Sequence, residues 1–244
     1  MDTLNAIKGA GQAPDLMIAT GDLTETGKPA QYEDFKRLAA GAPHPLLPVA
    51  GNHDERRAFR KAFGSGEITF APDGFAQYSY RCAALRIVVL DTVTPGSDEP
   101  SFCAARGAWL AGELANDKDN VLIAMHHPPF ATGVDWVDAN DFKWRERLGD
   151  VLEQSSAWVM GIICGHVHRA IFRTWRNLPV MTAPATAPQV ALRFGERDAI
   201  YSAEPPGWLM HRYDEDGFSS YVAAASGYSE RQAFGGEHGA GDAS

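Results

Sequence analysis

The stretch HPLLPVAGNHDERRAF, residues 44–59, runs apolar as far as Ala50 and then turns at Gly51. Directly after the turn come an amide and two ionisable side chains, those of Asn52, His53 and Asp54. A glycine followed by asparagine is ordinary turn chemistry, so this stretch alone does not distinguish a loop from a binding site. Whether this turn belongs to a binding site depends on what the rest of the chain contains.

Three other apolar runs end in the same way: DLMIATGD (15–22), VLIAMHH (121–127) and WVMGIICGHVH (158–168). All are short and lack polar alternation, which is typical of strands buried on both faces of an α/β sheet. Between the runs, apolar residues recur at three- and four-residue spacing and predict helices. These helices are expected at residues 2–8, 30–40, 55–63, 106–116 and 142–154.

Further strands are expected beyond these four runs. LRIVVLDT (85–92) reads as a fifth strand, and YSYRC (78–82) as its antiparallel partner. Four shorter strands toward the C-terminus are expected to close as a second sheet, namely LPVMTAP (178–184), PQVALRF (188–194), GWLMHRYD (207–214) and FSSYVAAA (218–225). The pattern predicts one α/β domain over residues 1–228, followed by a polar, glycine-rich tail at 229–244 that is expected to be disordered.

Composition excludes several classes of protein. A formal charge of -9 and a pI near 5.3 argue against a broad nucleic-acid or anionic-lipid surface, because either would need clustered Lys and Arg. No run approaches the ~18 apolar residues of a membrane span, and the first residues contain no apolar secretory core. The three cysteines form neither a paired framework nor a C-x-x-C knuckle, which favours a cytoplasmic protein.

All four apolar runs place polar side chains at the carboxyl end of a strand, which is where ligands bind in open α/β sheets. Their oxygen and nitrogen atoms, without thiolates, suit Mn, Fe, Co or Zn. A carboxylate such as Asp22 can bridge two metals, and two metals ~4 Å apart can clamp a phosphoryl group and generate a hydroxide near neutral pH. The prediction is phosphoester hydrolysis at a site that combines Asp22, Asn52 with His53, His126 with His127, and His166 with His168.

Taken in order, GD (21–22), GNHD (51–54), HH (126–127) and GHVH (165–168) resemble the calcineurin-like metallophosphoesterase superfamily over roughly residues 3–190. The resemblance implies a four-layer αββα sandwich of two sheets flanked by helices. It also implies a binuclear centre in which Asp22 bridges the metals and Asn52, His126 and His166 complete the second site. His168 would belong to the first site. His53 would be catalytic rather than a ligand, stabilising the transferring phosphoryl group or protonating the leaving oxygen.

Each assignment has a structural alternative. Asp22 could cap the following turn, and His166 and His168 could be ordinary loop histidines. His127 is expected to orient the loop through hydrogen bonds, with His126 as the ligand of the pair. The other candidates are given structural roles, as a loop residue (His44), a strand-face residue (His211), a tail residue (His238), a buried support (Asp91) and the cap of a helix starting at Glu55 (Asp54).

The motifs also narrow the substrate. The protein Ser/Thr phosphatases of this superfamily carry GDxxDRG and GNHE, whereas this chain has GDLTETG and GNHD. The HHPPF loop and the ending LMHRYDEDG resemble the class III cyclic nucleotide phosphodiesterase and glycerophosphodiesterase branch. A small phosphodiester substrate is therefore predicted, with residues 131–142, and Trp136 in particular, lining its pocket. Two alternatives stay open: a phosphomonoesterase of the same fold, and a catalytically impaired binding scaffold.

One departure from the superfamily pattern concerns its first metal site. The family begins with a strand ending in D-x-H, whose Asp and His bind the first metal, and this chain has no histidine before Asp22. Residues 2–8 read as the crossover helix that would follow such a strand. We therefore expect a first strand upstream of residue 1. Without it, the first metal keeps only Asp22 and His168, and the chain as written is expected to be poorly active or to oligomerise through exposed strand edges.

Overall fold

The computed structural model describes residues 4, 6–7, 13–42, 45–115, 120–186, 188–195, 198 and 200–225 of the 244-residue chain. Four long helices lie among them, α1 (Pro29–Ala39), α2 (Arg56–Phe63), α3 (Ala104–Leu114) and α4 (Lys143–Glu153), each within two residues of its predicted position. Of the helix predicted at 2–8, Leu4, Ala6 and Ile7 are described and are helical. His44, His238 and the tail at 229–244 lie outside the described residues. Within the described ranges, no helix is long and apolar enough to cross a membrane.

The described part of the chain contains twelve strands. In chain order they are β1 (Met17–Ala19), β2 (Leu46–Pro48), β3 (Tyr78–Cys82), β4 (Leu85–Val89), β5 (Asn120–Ala124), β6 (Trp158–Cys164), β7 (Ile171–Trp175), β8 (Leu178–Thr182), β9 (Gln189–Val190), β10 (Tyr201–Ser202), β11 (Gly207–Asp214) and β12 (Gly217–Ala224).

A six-stranded sheet in the order β3-β4-β5-β6-β8-β7 forms the centre of the molecule. Its inner strands β4, β5, β6 and β8 are parallel, and the edge strands β3 and β7 are antiparallel to their neighbours. The run VLIA in β5 is completely buried, as expected for a strand covered on both faces. The predicted antiparallel pairing of residues 78–82 with the following strand is also present.

The second sheet differs from the prediction. β1 and β2 form one parallel pair, β11 and β12 form a separate antiparallel pair, and β9 pairs with β10. Residues 178–182, expected in the second sheet, form β8 of the central sheet because Val180 and Met181 are buried where β8 runs parallel to β6. β7 was not predicted, because its apolar residues Ile171, Phe172 and Trp175 form neither a continuous run nor an alternation, and its three central residues are exposed.

Three apolar clusters hold these layers together. α3 and α4 cover one face of the central sheet, where Leu110 and Leu148 pack against β4, β5 and β6. The pairs β1–β2 and β11–β12 cover the opposite face through side chains such as Leu47 and Leu209. α1 and α2 pack on each other through Tyr32 and Phe59, and Phe63 of α2 also contacts the core between the sheets. The order helix, sheet, sheet, helix agrees with the predicted αββα sandwich.

Candidate metal centre and active site

The candidate site lies at the carboxyl ends of β1, β2, β5 and β6. These strands deliver Asp22, Asn52, His126 and His166 within a few residues of their last paired position. β1 and β2 form one parallel pair, and β5 and β6 are a parallel pair of the central sheet. The two pairs are in direct contact, because the His126 Nδ1 atom lies 2.8 Å from the Thr20 carbonyl oxygen just after β1. Both sheets therefore present their carboxyl ends to the same rim.

Oxygen and nitrogen atoms from four segments of the chain meet at this rim. The Asn52 Oδ1 atom is 3.0 Å from the His126 Nε2 atom and 3.1 Å from the His166 Nδ1 atom. The His126 Nε2 atom is also 3.2 Å from the His166 Nδ1 atom and 3.2 Å from the Asp22 Oδ2 atom. We call these four residues, Asp22, Asn52, His126 and His166, the ligand cluster.

The hydrogen bonds around His126 fix which of its nitrogens faces the cluster. A carbonyl can only accept, so the bond to Thr20 requires the proton on Nδ1 and leaves Nε2 directed at the other three residues. Burial disfavours the charged form of His126, but the Asp22 carboxylate and the Thr20 carbonyl outweigh burial and raise the His126 pKa. The same pairing holds the Asp22 pKa below its ordinary range despite burial.

The pKa values of His166 and His127 are lowered, in contrast to that of His126. Burial, reinforced by the neighbouring positive charge of His126, lowers the His166 pKa to about 3. Burial, together with His166 and His126, also lowers the His127 pKa well below its ordinary value. Both rings are therefore neutral near pH 7, the protonation state that a metal ligand needs.

The donor set fits a divalent transition metal. A carboxylate oxygen, an amide oxygen and a ring nitrogen of His166 each lie within 3.2 Å of the His126 Nε2 atom. A cation held by the four side chains would take the place of the proton that His126 Nε2 otherwise shares with the Asp22 and Asn52 oxygens. One nitrogen each of His126, His127 and His166 lie within 4.8 Å of one another, so these three histidines are a further set of candidate ligands.

The local backbone at the site is unusual. Asp22, His166 and His168 have φ values of 54°, 68° and 54°, in the left-handed region that ordinary side chains seldom adopt. Gly21, with φ 107°, precedes Asp22, and a Cβ atom there would lie 2.1 Å from the His126 Nδ1 atom. The glycine of the GD motif is thus needed both for its conformation and for the close approach of His126.

His53 and His168 lie at the margins of the cluster. The His53 backbone N–H donates to the Asp22 Oδ1 atom at 3.0 Å, while its exposed ring places Nδ1 3.0 Å from the Glu25 carbonyl oxygen. Burial lowers the His53 pKa, but the Glu25 carbonyl and the Asp22 charge raise it by more. The His53 pKa therefore lies above its ordinary value. The His168 Nδ1 atom lies 2.9 Å from the Pro188 carbonyl oxygen, which anchors that ring beside β9.

Trp136 and the segment around it lie next to the cluster. The Trp136 ring is 6.3 Å from the His166 ring, centre to centre, and it packs with Val134, Val137 and Val167. Val137, Asp138, Asn140 and Phe142, from the same segment, line a cleft beside His127 and His166, and Trp136 is not among the lining residues.

Three supporting residues were not identified from the sequence. The Asn52 Nδ2 atom donates to Asp98 at 2.9 Å, the Thr92 hydroxyl lies 2.7 Å from the His127 Nδ1 atom, and Thr20 holds His126. A lone acid or threonine in a loop carries no periodic signal, so nothing in the chain marks them. Asp91 is fully buried and pairs with Arg56, in agreement with the supporting role predicted for it.

The helix cap predicted for Asp54 is wrong. Glu55 caps α2 itself, because its carboxylate accepts from the backbone N–H groups of Arg57 and Ala58. The buried Asp54 carboxylate instead accepts from Gly51 N–H, Leu23 N–H and the Thr24 hydroxyl. It therefore ties the loop after β2 to the loop after β1, which keeps Asn52 beside Asp22.

Comparison with known proteins gives one family. The model of the calcineurin-like phosphoesterase family matches residues 1–170. A probable glycerophosphodiester phosphodiesterase of Arcobacter nitrofigilis is 31% identical over 206 residues, which is 83% of this chain and 75% of the relative. A cAMP/cGMP dual specificity phosphodiesterase of Mycobacterium tuberculosis is 34% identical over 191 residues, covering 76% of this chain and 58% of that protein.

A solved structure supports the fold alone. The purple acid phosphatase PPD1 from yellow lupin superposes with a TM-score of 0.62 at 13% identity, over 92% of this chain and 46% of the lupin chain.

Proposed function

Because this chain belongs to the calcineurin-like phosphoesterase family, we propose that it is a metal-dependent hydrolase of small phosphodiesters. The observation that carries the proposal is the ligand cluster, in which four strand ends bring a carboxylate, an amide oxygen and two ring nitrogens into contact. The names of the two curated relatives favour a phosphodiester over a monoester as substrate.

The residues of the ligand cluster would hold a divalent transition metal, Mn, Fe, Co or Zn. Asp22 has a second oxygen to share with a second metal, toward which His168 would contribute. A metal bound there would polarise the phosphoryl oxygens and lower the pKa of a coordinated water. Two hydrogen bonds of the chain orient these ligands. The Thr20 carbonyl fixes the tautomer of His126, and the Asp98 carboxylate fixes the orientation of the Asn52 amide.

Elemental analysis after mild dialysis tests the metal assignment. We expect close to one transition metal per chain, because the ligand cluster supplies four ligands, whereas the described residues offer two, Asp22 and His168, to the neighbouring site. A protein that carries no metal and binds none on titration would contradict the enzymatic assignment and favour the binding-scaffold alternative.

His53 is the proposed proton donor to the leaving oxygen. The Glu25 carbonyl fixes a proton on Nδ1, so Nε2 is the atom that can face a substrate, and the Glu25 carbonyl and the Asp22 charge raise the His53 pKa despite burial. We expect His53→Ala to lower turnover by about a hundredfold while metal content changes little. Asn52→Ala is the matched comparison, because it should lower metal content and turnover together.

A phosphomonoesterase of the same fold is the second candidate function. Both curated relatives are named as phosphodiesterases, which favours the diester as substrate. Parallel assays with bis(p-nitrophenyl) phosphate and p-nitrophenyl phosphate should show higher kcat/KM for the diester. Faster cleavage of the monoester would move the assignment to a phosphatase.

A further inference from the structure

The cysteine that precedes α3 lies at the positive end of a helix. Cys103 is the N-cap residue of α3, its thiol is partly exposed, and the next two residues, Ala104 and Ala105, are exposed as well. Backbone N–H groups in the first turn of a helix have no carbonyl partner within that helix, so this end of α3 attracts negative charge. A thiolate carries such a charge, and it is the nucleophilic form of cysteine.

Arg106, in the first turn of α3, adds a buried positive charge that interacts with the Cys103 sulfur. Arg106 is only 4% exposed, and its Nε atom has no hydrogen-bond partner among the described residues. Buried polar atoms are seldom left unpaired, and a neutral thiol is a weak acceptor, so this free N–H indicates an anionic partner. Burial raises the pKa of the Cys103 thiol, but the Arg106 and Ala105 N–H groups and the Arg106 charge lower it by more.

The other two cysteines lack this support. Cys82 in β3 is partly exposed like Cys103, but burial and the Asp15 charge raise its pKa. Cys164 in β6 is buried, which raises its pKa well above the ordinary value. Reactive cysteines combine access with a lowered pKa. Of the three cysteines, all of which the structure describes, Cys103 alone has both properties.

Arg106 also ties together the two ends of one loop, residues 91–101. Its Nη1 atom donates to the Asp91 carbonyl oxygen at 2.9 Å and to the Ser101 carbonyl oxygen. Its Nη2 atom donates to the Ser101 hydroxyl at 2.8 Å. The position of the 91–101 loop therefore depends on where the Arg106 guanidinium lies.

Two residues of the 91–101 loop support the candidate site. The Thr92 hydroxyl lies 2.7 Å from the His127 Nδ1 atom, and the Asp98 carboxylate accepts from the Asn52 amide at 2.9 Å. A change that displaces the Arg106 guanidinium would therefore reach the ligand cluster through this loop.

We propose that Cys103 is a modification site, at which its sulfur attacks a small disulfide such as oxidised glutathione and forms an adduct that loosens the 91–101 loop. A bond forms between the Cys103 sulfur and one sulfur of the small disulfide, the original sulfur–sulfur bond breaks, and the second sulfur leaves as a thiolate. The Cys103 proton passes to solvent, Cys103 is oxidised, and the departing half is reduced. The bonded sulfur is neutral and bulkier, so the Arg106 guanidinium loses an anionic neighbour and has to shift.

Mass spectrometry of the full chain during treatment with oxidised glutathione tests the site. At pH 7 we expect Cys103 to form the mixed disulfide about fivefold faster than Cys82, because a larger share of it is thiolate. As the pH rises, the rate at Cys103 should also level off at a lower pH than the rate at Cys82. Cys164 is the folding control, because a buried thiol stays unmodified while the chain is folded.

Two matched variants test the source of the reactivity. Arg106→Gln should slow the reaction of Cys103 at pH 7 by about threefold and leave the rate at Cys82 unchanged, because only Cys103 loses a cationic neighbour. Asp15→Asn should do the reverse, quickening Cys82 and leaving Cys103 unchanged. If Arg106→Gln unfolds, which modification of Cys164 would reveal, the two pH profiles of the wild-type chain decide the assignment.

Hydrogen–deuterium exchange tests the effect on the loop. The Val93 and Ser101 N–H groups are protected by bonds to the Asp91 carboxylate and the Thr92 carbonyl. In the adduct we expect residues 92–101 to exchange about tenfold faster, because the loop opens more often, while β11 is unchanged. Reduction with dithiothreitol should restore slow exchange. Cys103→Ser should exchange like the untreated wild type both before and after treatment.

Two results would overturn the proposal. A reaction at Cys103 no faster than at Cys82, with the two pH profiles superimposed, would remove the modification site. Unchanged exchange of residues 92–101 in the adduct would remove the effect on the loop. Both measurements are independent of metal content and turnover, so a failure of the proposed phosphodiesterase function would leave them standing.

Discussion

The Asn52 side chain presents its two ends to different neighbours. Its carbonyl oxygen faces His126 and His166, and its amide nitrogen donates to the exposed Asp98 carboxylate. Without an acceptor on the nitrogen side, the amide can rotate and turn its N–H₂ group toward the cluster. Asp98 is therefore a positioning residue, although it does not belong to the cluster.

We predict that Asp98→Ala weakens metal binding by about tenfold, the lower end of the range for residues that orient a ligand. Asp98→Asn is the matched control, because it keeps an oxygen acceptor and should weaken binding less. Titration of Zn²⁺ in competition with a chromogenic chelator measures both. Equal affinities for the Ala variant and the wild type would show that Asn52 needs no external orientation.

The lowered His166 pKa has a consequence for acid stability. Its pKa is about 3 in the folded protein against an ordinary value of 6.5, so the unfolded chain takes up the proton first as the pH falls. Stability should therefore decline from pH 6.5 toward pH 3, with a slope of up to about 1.4 kcal/mol per pH unit for this proton. His127 acts in the same direction.

Urea denaturation of the chelator-treated protein between pH 7 and pH 4.5 checks this prediction. His166→Gln should reduce the pH slope, since one of the protons is then missing. His53→Gln should leave the slope unchanged below about pH 6, because a His53 pKa above its ordinary value keeps that ring protonated in both the folded and the unfolded state there. An identical slope for His166→Gln and the wild type would show that His166 is not neutralised by burial.

At the scale of elements, Asp91 joins one strand end to two helices. Its fully buried carboxylate accepts from Arg56 of α2 at 2.6 Å and lies 3.8 Å from Arg106 of α3, while it also accepts from the backbone N–H groups of Ala76 and Val93. The two guanidinium groups stack on the Phe75 ring, at 5.1 Å and 4.5 Å from its centre. Removing the carboxylate would leave a buried Arg106 uncompensated.

We predict that Asp91→Ala lowers the free energy of unfolding by about 3–5 kcal/mol, the cost of breaking a buried charged pair from one side. Asp34→Ala is the control, because the Asp34–Arg37 pair of α1 is exposed and should contribute less than about 1 kcal/mol. Urea titration monitored by circular dichroism distinguishes the two. A loss below 1 kcal/mol for Asp91→Ala would mean that water replaces the carboxylate.

The sequence predicted those helices and strands whose buried residues form a continuous run or a regular period. The apolar run in β5 and the three- and four-residue apolar spacing in α1 to α4 predicted the bounds of these elements closely. The reason is that the buried residues of each element follow one simple pattern along the chain. β7 and β10 escaped prediction, since the three central residues of β7 are exposed at a sheet edge and β10 has two residues, so neither shows a continuous or alternating apolar pattern. Asp98 and Asp54 escaped correct assignment because their partners lie in distant segments.

At the scale of the whole molecule, the ligand cluster connects the two sheets. Asp22 and Asn52 follow strands of one parallel pair, and His126 and His166 follow strands of the central sheet. An ion held by all four residues binds only the folded arrangement, so it should stabilise both layers together.

We predict that removing metal lowers the Tm by about 5–10 °C relative to protein at a hundredfold excess over Kd, which corresponds to ~2.7 kcal/mol of stabilisation. Differential scanning fluorimetry with and without a chelator measures the shift. Asn52→Ala should show a clearly smaller shift, because one ligand is missing. A full shift in that variant would place the stabilising ion elsewhere in the molecule.

The ligand cluster joins residues far apart in the chain, and this fixes when it can form during synthesis. Asn52 meets His166 across 114 positions and His126 across 74. A chain emerging from the ribosome can pair β1 with β2 early, but these strands then hold only the acid and amide half of the cluster. The histidine half arrives once β6 has emerged and joined β5. An ion held by all four residues would therefore be captured late in synthesis, after most of the polypeptide has been made.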